Sequence, residues 1–313
     1  MKKITHLVFG GHALKSLNLC GVLRYIYCYN LDINIRDVAG TSMGSYFALA
    51  FALKIPIERL EKIIINSIND DKNIKIYQQS FINLFNNFGL NDSHNYLNEI
   101  KIYLKETYDL DDITFLELSK KTGINLYVSC TKVIDGSNVI FNIDNYPNVS
   151  VFDAVSASMC IPIISRPIMI DSYYYIDGFF SNNLPYDVFN HINKKNLLVV
   201  GILINEYDFN NIDKPDIEMN FMEYYLNIFK IFYKNTDTLC NSNRIMNDKD
   251  FLVIKSSPIK NSLFTPNFED DNFNFKIDEN TINDLFLQGF KVIQDYMNNY
   301  SNNNVDLALG DIS

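Results

Sequence analysis

Short apolar runs bounded by turn residues alternate along this chain with segments whose apolar positions recur at helical spacing, the pattern of an α/β sheet. Residues 4–9 read as a first strand. Residues 17–29 follow, with Leu19, Val22, Leu23 and Ile26 on one helical face. Asp37-Val38-Ala39 reads as a second strand ending at Gly40. Residues 42–54 are the next helix, so uniformly apolar that it must be buried, and it stops before Pro56. Residues 57–121 read as helical, with breaks at Asn69-Asp70-Asp71 and Gly89.

Residues 124–130 and 138–143 are strands on either side of the turn Asp135-Gly136, and residues 150–159 a short helix ending before Ile161-Pro162. Residues 173–176 lead as a strand into Asp177-Gly178, and residues 196–203 form another buried strand. Near residue 206 the character changes. Met219, Met222, Tyr225, Leu226, Phe229, Phe232 and Tyr233 share one helical stripe, read as core-facing packing. Residues 251–255 suit an edge strand, residues 281–297 a final helix, and residues 301–313 a loose tail. The expected organisation is a core over residues 1–205 and a mostly helical section, 206–313, packed on the same domain.

Composition narrows the class. The chain has 313 residues, 47% of them hydrophobic, enough for one large core. A net charge of −10 and a pI near 4.9 disfavour nucleic acid as a partner and give no help in approaching an anionic membrane. Cys20, Cys28, Cys130, Cys160 and Cys240 are odd in number, scattered and without a CxxC pair. That suits reduced thiols in a cytosol-like compartment and speaks against a disulfide framework or a zinc site. Met1-Lys2-Lys3 runs straight into a short apolar stretch and then glycines, without the h-region of a signal peptide. With no apolar run near the roughly 18 residues that span a bilayer, a soluble, cytoplasmic protein is expected.

Gly40-Thr41-Ser42-Met43-Gly44 matches G-x-S-x-G between an apolar strand and an apolar helix. A serine on a sharp strand-to-helix turn needs small neighbours, and the turn lifts its hydroxyl above the sheet at a helix N-terminus that favours developing negative charge. The same residues also read as a helix-capping serine in a glycine-rich turn. In Asp177-Gly178, a strand delivers a carboxylate to a turn, where it can take a serine proton directly or form an ordinary Asp-Gly turn. Of the four histidines, His6, His12, His94 and His191, only His191 follows a plausible acid, so a Ser-Asp-His triad has little support.

Together these segments resemble the patatin-like phospholipase family. Gly40–Gly44 supplies its serine motif, and Asp177-Gly178 with Asn183 and Pro185 its acid motif. Ala154 through Pro162 resembles its A-S-x-x-x-P segment, 114–118 its middle helix, and Gln288-Gly289-Phe290 its final one. The resemblance covers residues 4–205 well. It implies a three-layer α/β/α fold with a central, mostly parallel sheet. It also implies a Ser-Asp dyad without histidine, metal or cofactor, with Ser42 as nucleophile and Asp177 as base. Gly40, Gly44 and Gly178 would shape the two turns, and backbone N–H groups of Gly11, His12 and Ala13 would bind the oxyanion.

Two departures stand out. The first loop keeps only Gly11 of the family's glycines, reading Gly11-His12-Ala13-Leu14-Lys15-Ser16, and the acid motif ends in Phe179. Phe179 would either narrow the acyl entrance or pack beneath it. His12 reads as a wall residue or, alternatively, a base or oxyanion donor; Lys15 as a loop-orienting cation; Arg166 as a solvated side chain or a lipid-phosphate contact. The expected activity is ester hydrolysis on phospholipids or related glycerolipids, with transient contact to a membrane surface or lipid aggregate and the oligomeric state open. A patatin-type fold that has lost catalysis and binds lipid or a partner is the second reading; a generic soluble esterase or acyltransferase is the third.

Overall fold

The computed structural model describes residues 3–69, 75–76, 84, 86–203, 224–225, 228, 231, 251–256, 273–274 and 277–310. The strands are β1 (His6–Phe9), β2 (Asp37–Thr41), β3 (Lys75–Ile76), β4 (Gly89–Asn91), β5 (Asn125–Lys132) and β6 (Asn138–Phe141), followed by β7 (Ile163–Ser165), β8 (Ile168–Ile170), β9 (Tyr173–Asp177), β10 (Leu197–Leu203), β11 (Phe251–Lys255) and β12 (Phe273–Asn274). The described α-helices are α1 (Asn18–Cys28), α2 (Met43–Ala52), α3 (Ile57–Asn69), α4 (Asn98–Tyr108), α5 (Phe115–Thr122), α6 (Val151–Ser158) and α7 (Glu279–Gly310).

In the central sheet hydrogen-bonded neighbours follow the path β11-β10-β1-β2-β5-β9-β8, with β2 and β9 both bonded to β5. From β11 to β5 every pairing is parallel; β9 and β8 extend the sheet antiparallel, and β6 pairs antiparallel with β5. One face packs Leu7, Phe9, Val38, Leu126 and Val128 against helices that include α1, α2 and α6. The other packs Val8, Ala39 and Val199 against Leu184 and Phe189, from the segment that follows β9. Burial on both faces accounts for the continuous apolar runs of the parallel strands.

Local sequence explains the helices that frame the site. Gly44 through Ala52 in α2 are all buried, as the unbroken apolar run requires. α3 is amphipathic instead, with Leu60, Ile63 and Ile64 buried and Glu58 and Lys62 exposed. α5 starts with a capping box between Thr114 and Glu117, and α6 is capped by Ser150, which accepts from the N–H groups of Phe152 and Asp153.

The sequence reading missed β4, β7 and β8, each three residues long and too short to carry an alternation. Gly89, read as a helix break, lies in β4, where a Cβ would stand 2.3 Å from the Arg166 nitrogen. The stripe from Met219 to Tyr233 falls largely outside the described residues, although the Tyr225 hydroxyl donates to the Pro162 carbonyl. β11 is an edge strand of the main sheet. α7 runs on past Met297, since asparagine-rich composition is only a weak bar to helix. It packs so closely on α1 that a Cβ on Gly289 would meet the Asn18 carbonyl oxygen at 1.8 Å. Among the described residues no helix is long and apolar enough to cross a membrane.

Candidate active site

Two strand ends meet head-on at this site. β6 occupies one edge of β5 at residues 128–131, so β2, paired at 125–129, and β9, paired at 130–132, share the opposite edge. β2 arrives with Thr41 opposite Ser129, and β9 arrives from the other direction with Asp177 opposite Cys130. The next residue after Thr41 is Ser42. Its hydroxyl donates to Asp177 Oδ2 at 2.6 Å.

Ser42 has φ 52° and ψ −131°, a conformation rarely adopted by a residue with a side chain, held by the turn from β2 into α2. The turn closes because a Cβ on Gly44 would stand 2.3 Å from the Phe9 carbonyl oxygen, and one on Gly40 2.4 Å from that of Gly44. Ser42 occupies the N-cap position of α2 but makes no side-chain capping bond. Its backbone N–H donates to Ser158 Oγ at 2.8 Å, and that hydroxyl donates in turn to the Ser129 carbonyl at 2.7 Å.

Asp177 is 2% exposed. Burial pushes its carboxyl up to about 7, while the hydrogen bonds from Ser42 and from the Phe179 N–H, the latter at 2.8 Å, pull the other way. The backbone is fixed by its own N–H donating to the Cys160 carbonyl and by Thr131 Oγ1 donating to its carbonyl. Gly178 lies tight against β5, where a Cβ would meet the Ser129 carbonyl oxygen at 2.2 Å.

The structure separates the three loop residues that the resemblance grouped together. Gly11 packs on the serine itself, since a Cβ there would lie 2.5 Å from Ser42 Cβ. The His12 N–H is already engaged, donating to Ser16 Oγ at 2.8 Å, and so is not directed at Ser42 in this arrangement. Ala13 has φ 46° and shares a cavity wall with Ser42. The His12 and Lys15 side chains are both buried.

That cavity, about 160 Å³, is largely apolar, with Leu14, Leu17, Met43, Tyr46, Ile64, Met159, Ile161 and Ile164 in its walls. Phe179 is buried but is not one of its lining residues, so it does not narrow the cavity.

The remaining histidines and Arg166 are placed elsewhere. His6 Nε2 lies 3.3 Å from Asp37, at the start of β2, and His191, exposed, acts electrostatically on His6. Both therefore sit at the opposite end of β2 from Ser42. His94 bridges Asp92 and Asp153, 2.9 Å from each, and Arg166 pairs with Asp92. Ser158 was visible in the sequence only as part of a motif, with no role attached.

A family model of patatin-like phospholipases matches residues 7–190, more than half of the chain. An uncharacterized protein of Acanthamoeba polyphaga mimivirus is 25% identical over 227 residues, covering 72% of this chain and 75% of that protein. A probable lipid hydrolase of Invertebrate iridescent virus 6 is 27% identical over 257 residues, covering 74% and 86%. The crystal structure of VipD from Legionella pneumophila is similar in fold, with a TM-score of 0.57 at 14% identity over 95% of this chain and 67% of VipD. The chain belongs to the patatin-like phospholipase family of lipid-hydrolysing enzymes.

Proposed function

We propose that Ser42 and Asp177 are the nucleophile and general base of an acyl hydrolase acting on carboxylic esters of phospholipids or related glycerolipids. The observation that carries this reading is the 2.6 Å hydrogen bond between a strained-turn serine and a buried carboxylate. The apolar cavity beside Ser42 suits the acyl chain.

In the ionised enzyme Asp177 accepts the Ser42 proton as the oxygen attacks the ester carbonyl carbon. Negative charge then develops on the carbonyl oxygen. The Gly11 and Ala13 N–H groups, beside Ser42, are the donors for it, together with the N-terminal end of α2. Collapse of the tetrahedral species breaks the ester C–O bond, and the departing alcohol takes the proton from Asp177. Water, deprotonated by the same carboxylate, attacks the acyl-Ser42 ester; the C–Oγ bond breaks, the fatty acid leaves and Ser42 Oγ takes the proton back from Asp177. A carboxyl titrating near 7 is suited to both proton transfers at neutral pH.

The engaged His12 N–H and the positive φ of Ala13 favour a second reading, a patatin fold kept for binding lipid or a partner. One experiment separates the two. Fatty-acid release from mixed liposomes, release from short soluble esters, and fluorophosphonate labelling at Ser42 are measured on one preparation. Labelling with release from liposomes supports the hydrolase; folded protein with neither label nor release on any glycerolipid supports the binding module. Activity on short esters alone points to a generic esterase. We also propose that residues 1–205 and the section after them act as one domain, because β11 and α7 are built into the same sheet and core.

A further inference from the structure

The end of the sheet that carries Ser42 is crowned by uncovered apolar side chains. β5 runs parallel to β2, and the chain continues past Ser129, the partner of Thr41, for four residues to Val133. At roughly 3.3 Å per residue that is about 13 Å beyond the level of Thr41, the residue before Ser42. There the Val133 N–H donates to the Tyr174 carbonyl at 2.9 Å. The register of β5 with β9, and the pairing of Tyr174 with Met169 in β8, align Val133, Tyr174 and Met169 in one row on one face. Their neighbours on the opposite face, Tyr175 and Ile168, are buried.

The row itself is open to solvent, with Val133 51%, Tyr174 45% and Met169 62% exposed. Phe88, 62% exposed, packs edge-on against Tyr174 with ring centroids 6.5 Å apart, and Ile134, next in the turn, is 75% exposed. A solvated sheet face ordinarily carries polar side chains, and a contiguous apolar patch of this kind marks a contact surface. Short chain connections join the patch to the cavity wall. Phe88 precedes Gly89, which pairs with Ile163 in β7; Ile164 and Ser165 of β7 wall the cavity, and the chain runs on directly into β8.

We propose that this crest is the surface on which the enzyme lands on a zwitterionic lipid surface, with the cavity beside Ser42 facing the same way. The proposal rests on the lipid-hydrolase reading for its choice of occupant. Charge selects the kind of surface. Lys132, its ammonium 3.4 Å from the ring centroid of Tyr173, is in register with Tyr175 and so belongs to the face opposite the row, while Asp135 and Asp171 sit exposed in the adjoining turns and the whole chain carries −10. An anionic bilayer is therefore repelled, and insertion of apolar and aromatic side chains is the attraction that remains. Phenylalanine, tyrosine, methionine and isoleucine suit the boundary between headgroups and acyl chains.

The test uses two variants outside the catalytic machinery, Ile134→Asp and Met169→Asp, separately and combined. Thermal melts and hydrolysis of a short soluble ester serve as controls for folding and for the site. Vesicle co-sedimentation is measured in a Ser42→Ala background, with phosphatidylcholine vesicles and with vesicles containing phosphatidylglycerol. The expected result is binding to phosphatidylcholine that falls about tenfold or more in the double variant, as loss of inserted apolar surface predicts. Fatty-acid release from those vesicles should fall in parallel while short-ester turnover is unchanged.

Wild-type-like binding and vesicle hydrolysis by the folded double variant would overturn the proposal, as would absence of vesicle binding by the parent protein. Variants that instead dissolve a self-associated form, with lipid binding intact, would assign the patch to a second copy of the chain. Vesicle binding through the crest without ester hydrolysis on any substrate would leave the crest standing and remove the Ser42–Asp177 reading.

Discussion

The Ser158 hydroxyl accepts the backbone N–H of Ser42 at 2.8 Å while donating to the Ser129 carbonyl at 2.7 Å, tying the serine turn to both β5 and α6. Both bonds are buried, and removing the hydroxyl strands one donor and one acceptor beside the Ser42 turn. Ser158→Ala should therefore lower kcat by about ten- to a hundredfold, the kinetic equivalent of a 1–3 kcal/mol penalty, with KM nearly unchanged. Steady-state kinetics and the rate of fluorophosphonate labelling should fall together. An unchanged labelling rate would remove Ser158 from the machinery.

Ser42→Ala and Asp177→Asn should each abolish nearly all acyl hydrolysis without unfolding the protein. The double variant should be little worse than either single one, because residues sharing one proton transfer act as a unit. Retention of more than about a tenth of the wild-type rate by either single variant is incompatible with these roles.

The elevated Asp177 carboxyl gives two linked pH effects. The base works ionised, so kcat/KM should rise with pH and level off above about 7. Stability moves the other way. The folded pKa lies above the ordinary value of 3.8, so between roughly 4 and 7 the native state holds a proton that the unfolded chain has released. Stability contributed at this site therefore declines as pH rises across that window and stays low above it. Asp177→Asn should be more stable than wild type at pH 8, by as much as about 4 kcal/mol, with the gap closing toward pH 4. Denaturant titrations at both pH values decide this; a variant less stable at pH 8 would contradict it.

His94 should matter for stability and not for chemistry. Burial alone would lower its pKa, but hydrogen bonds and attraction from Asp153 and Asp92 outweigh that and raise it to about 9. Its contribution is fully present below the ordinary value of 6.5 and disappears as pH climbs through 9. His94→Ala should cost on the order of 2 kcal/mol at pH 7 and little at pH 10, with turnover per folded molecule retained. His191→Ala should leave both properties unchanged, and a large loss of turnover from that substitution would restore a histidine triad.

The first loop offers a test of strain. Ala13 holds φ 46°, which costs a residue with a Cβ about 1–2 kcal/mol and glycine little. Ala13→Gly should recover part of that while gaining flexibility in the unfolded chain, a net change near zero to about 1 kcal/mol of stabilisation. The rate should change only a few-fold, because the backbone N–H stays where it was. A gain of about a hundredfold or more, the worth of a whole oxyanion donor, would mean that the wild-type loop is mis-set.

Much of this site was legible from local sequence. The serine turn could be read because its determinants are contiguous: an apolar strand, small residues at 40 and 44, and a helix apolar on every side. Those features are dictated by backbone crowding within a few residues. Asp177-Gly178 was legible as a carboxylate delivered by a strand, for the same reason.

What the sequence left open depended on non-local pairing. Ser42 and Asp177 lie 135 residues apart, and they touch because β2 and β9 run into each other along one edge of β5, an arrangement set by which strand edges are occupied. Ser158 acquires its partners because α6 is laid across that junction, and Phe179 is buried without lining the cavity. The His12 N–H is spent on Ser16 by a local loop conformation that no residue pattern specifies. Periodicity and turn chemistry record short-range sterics and which face is buried; hydrogen bonds between distant segments exist only once the sheet has chosen its neighbours.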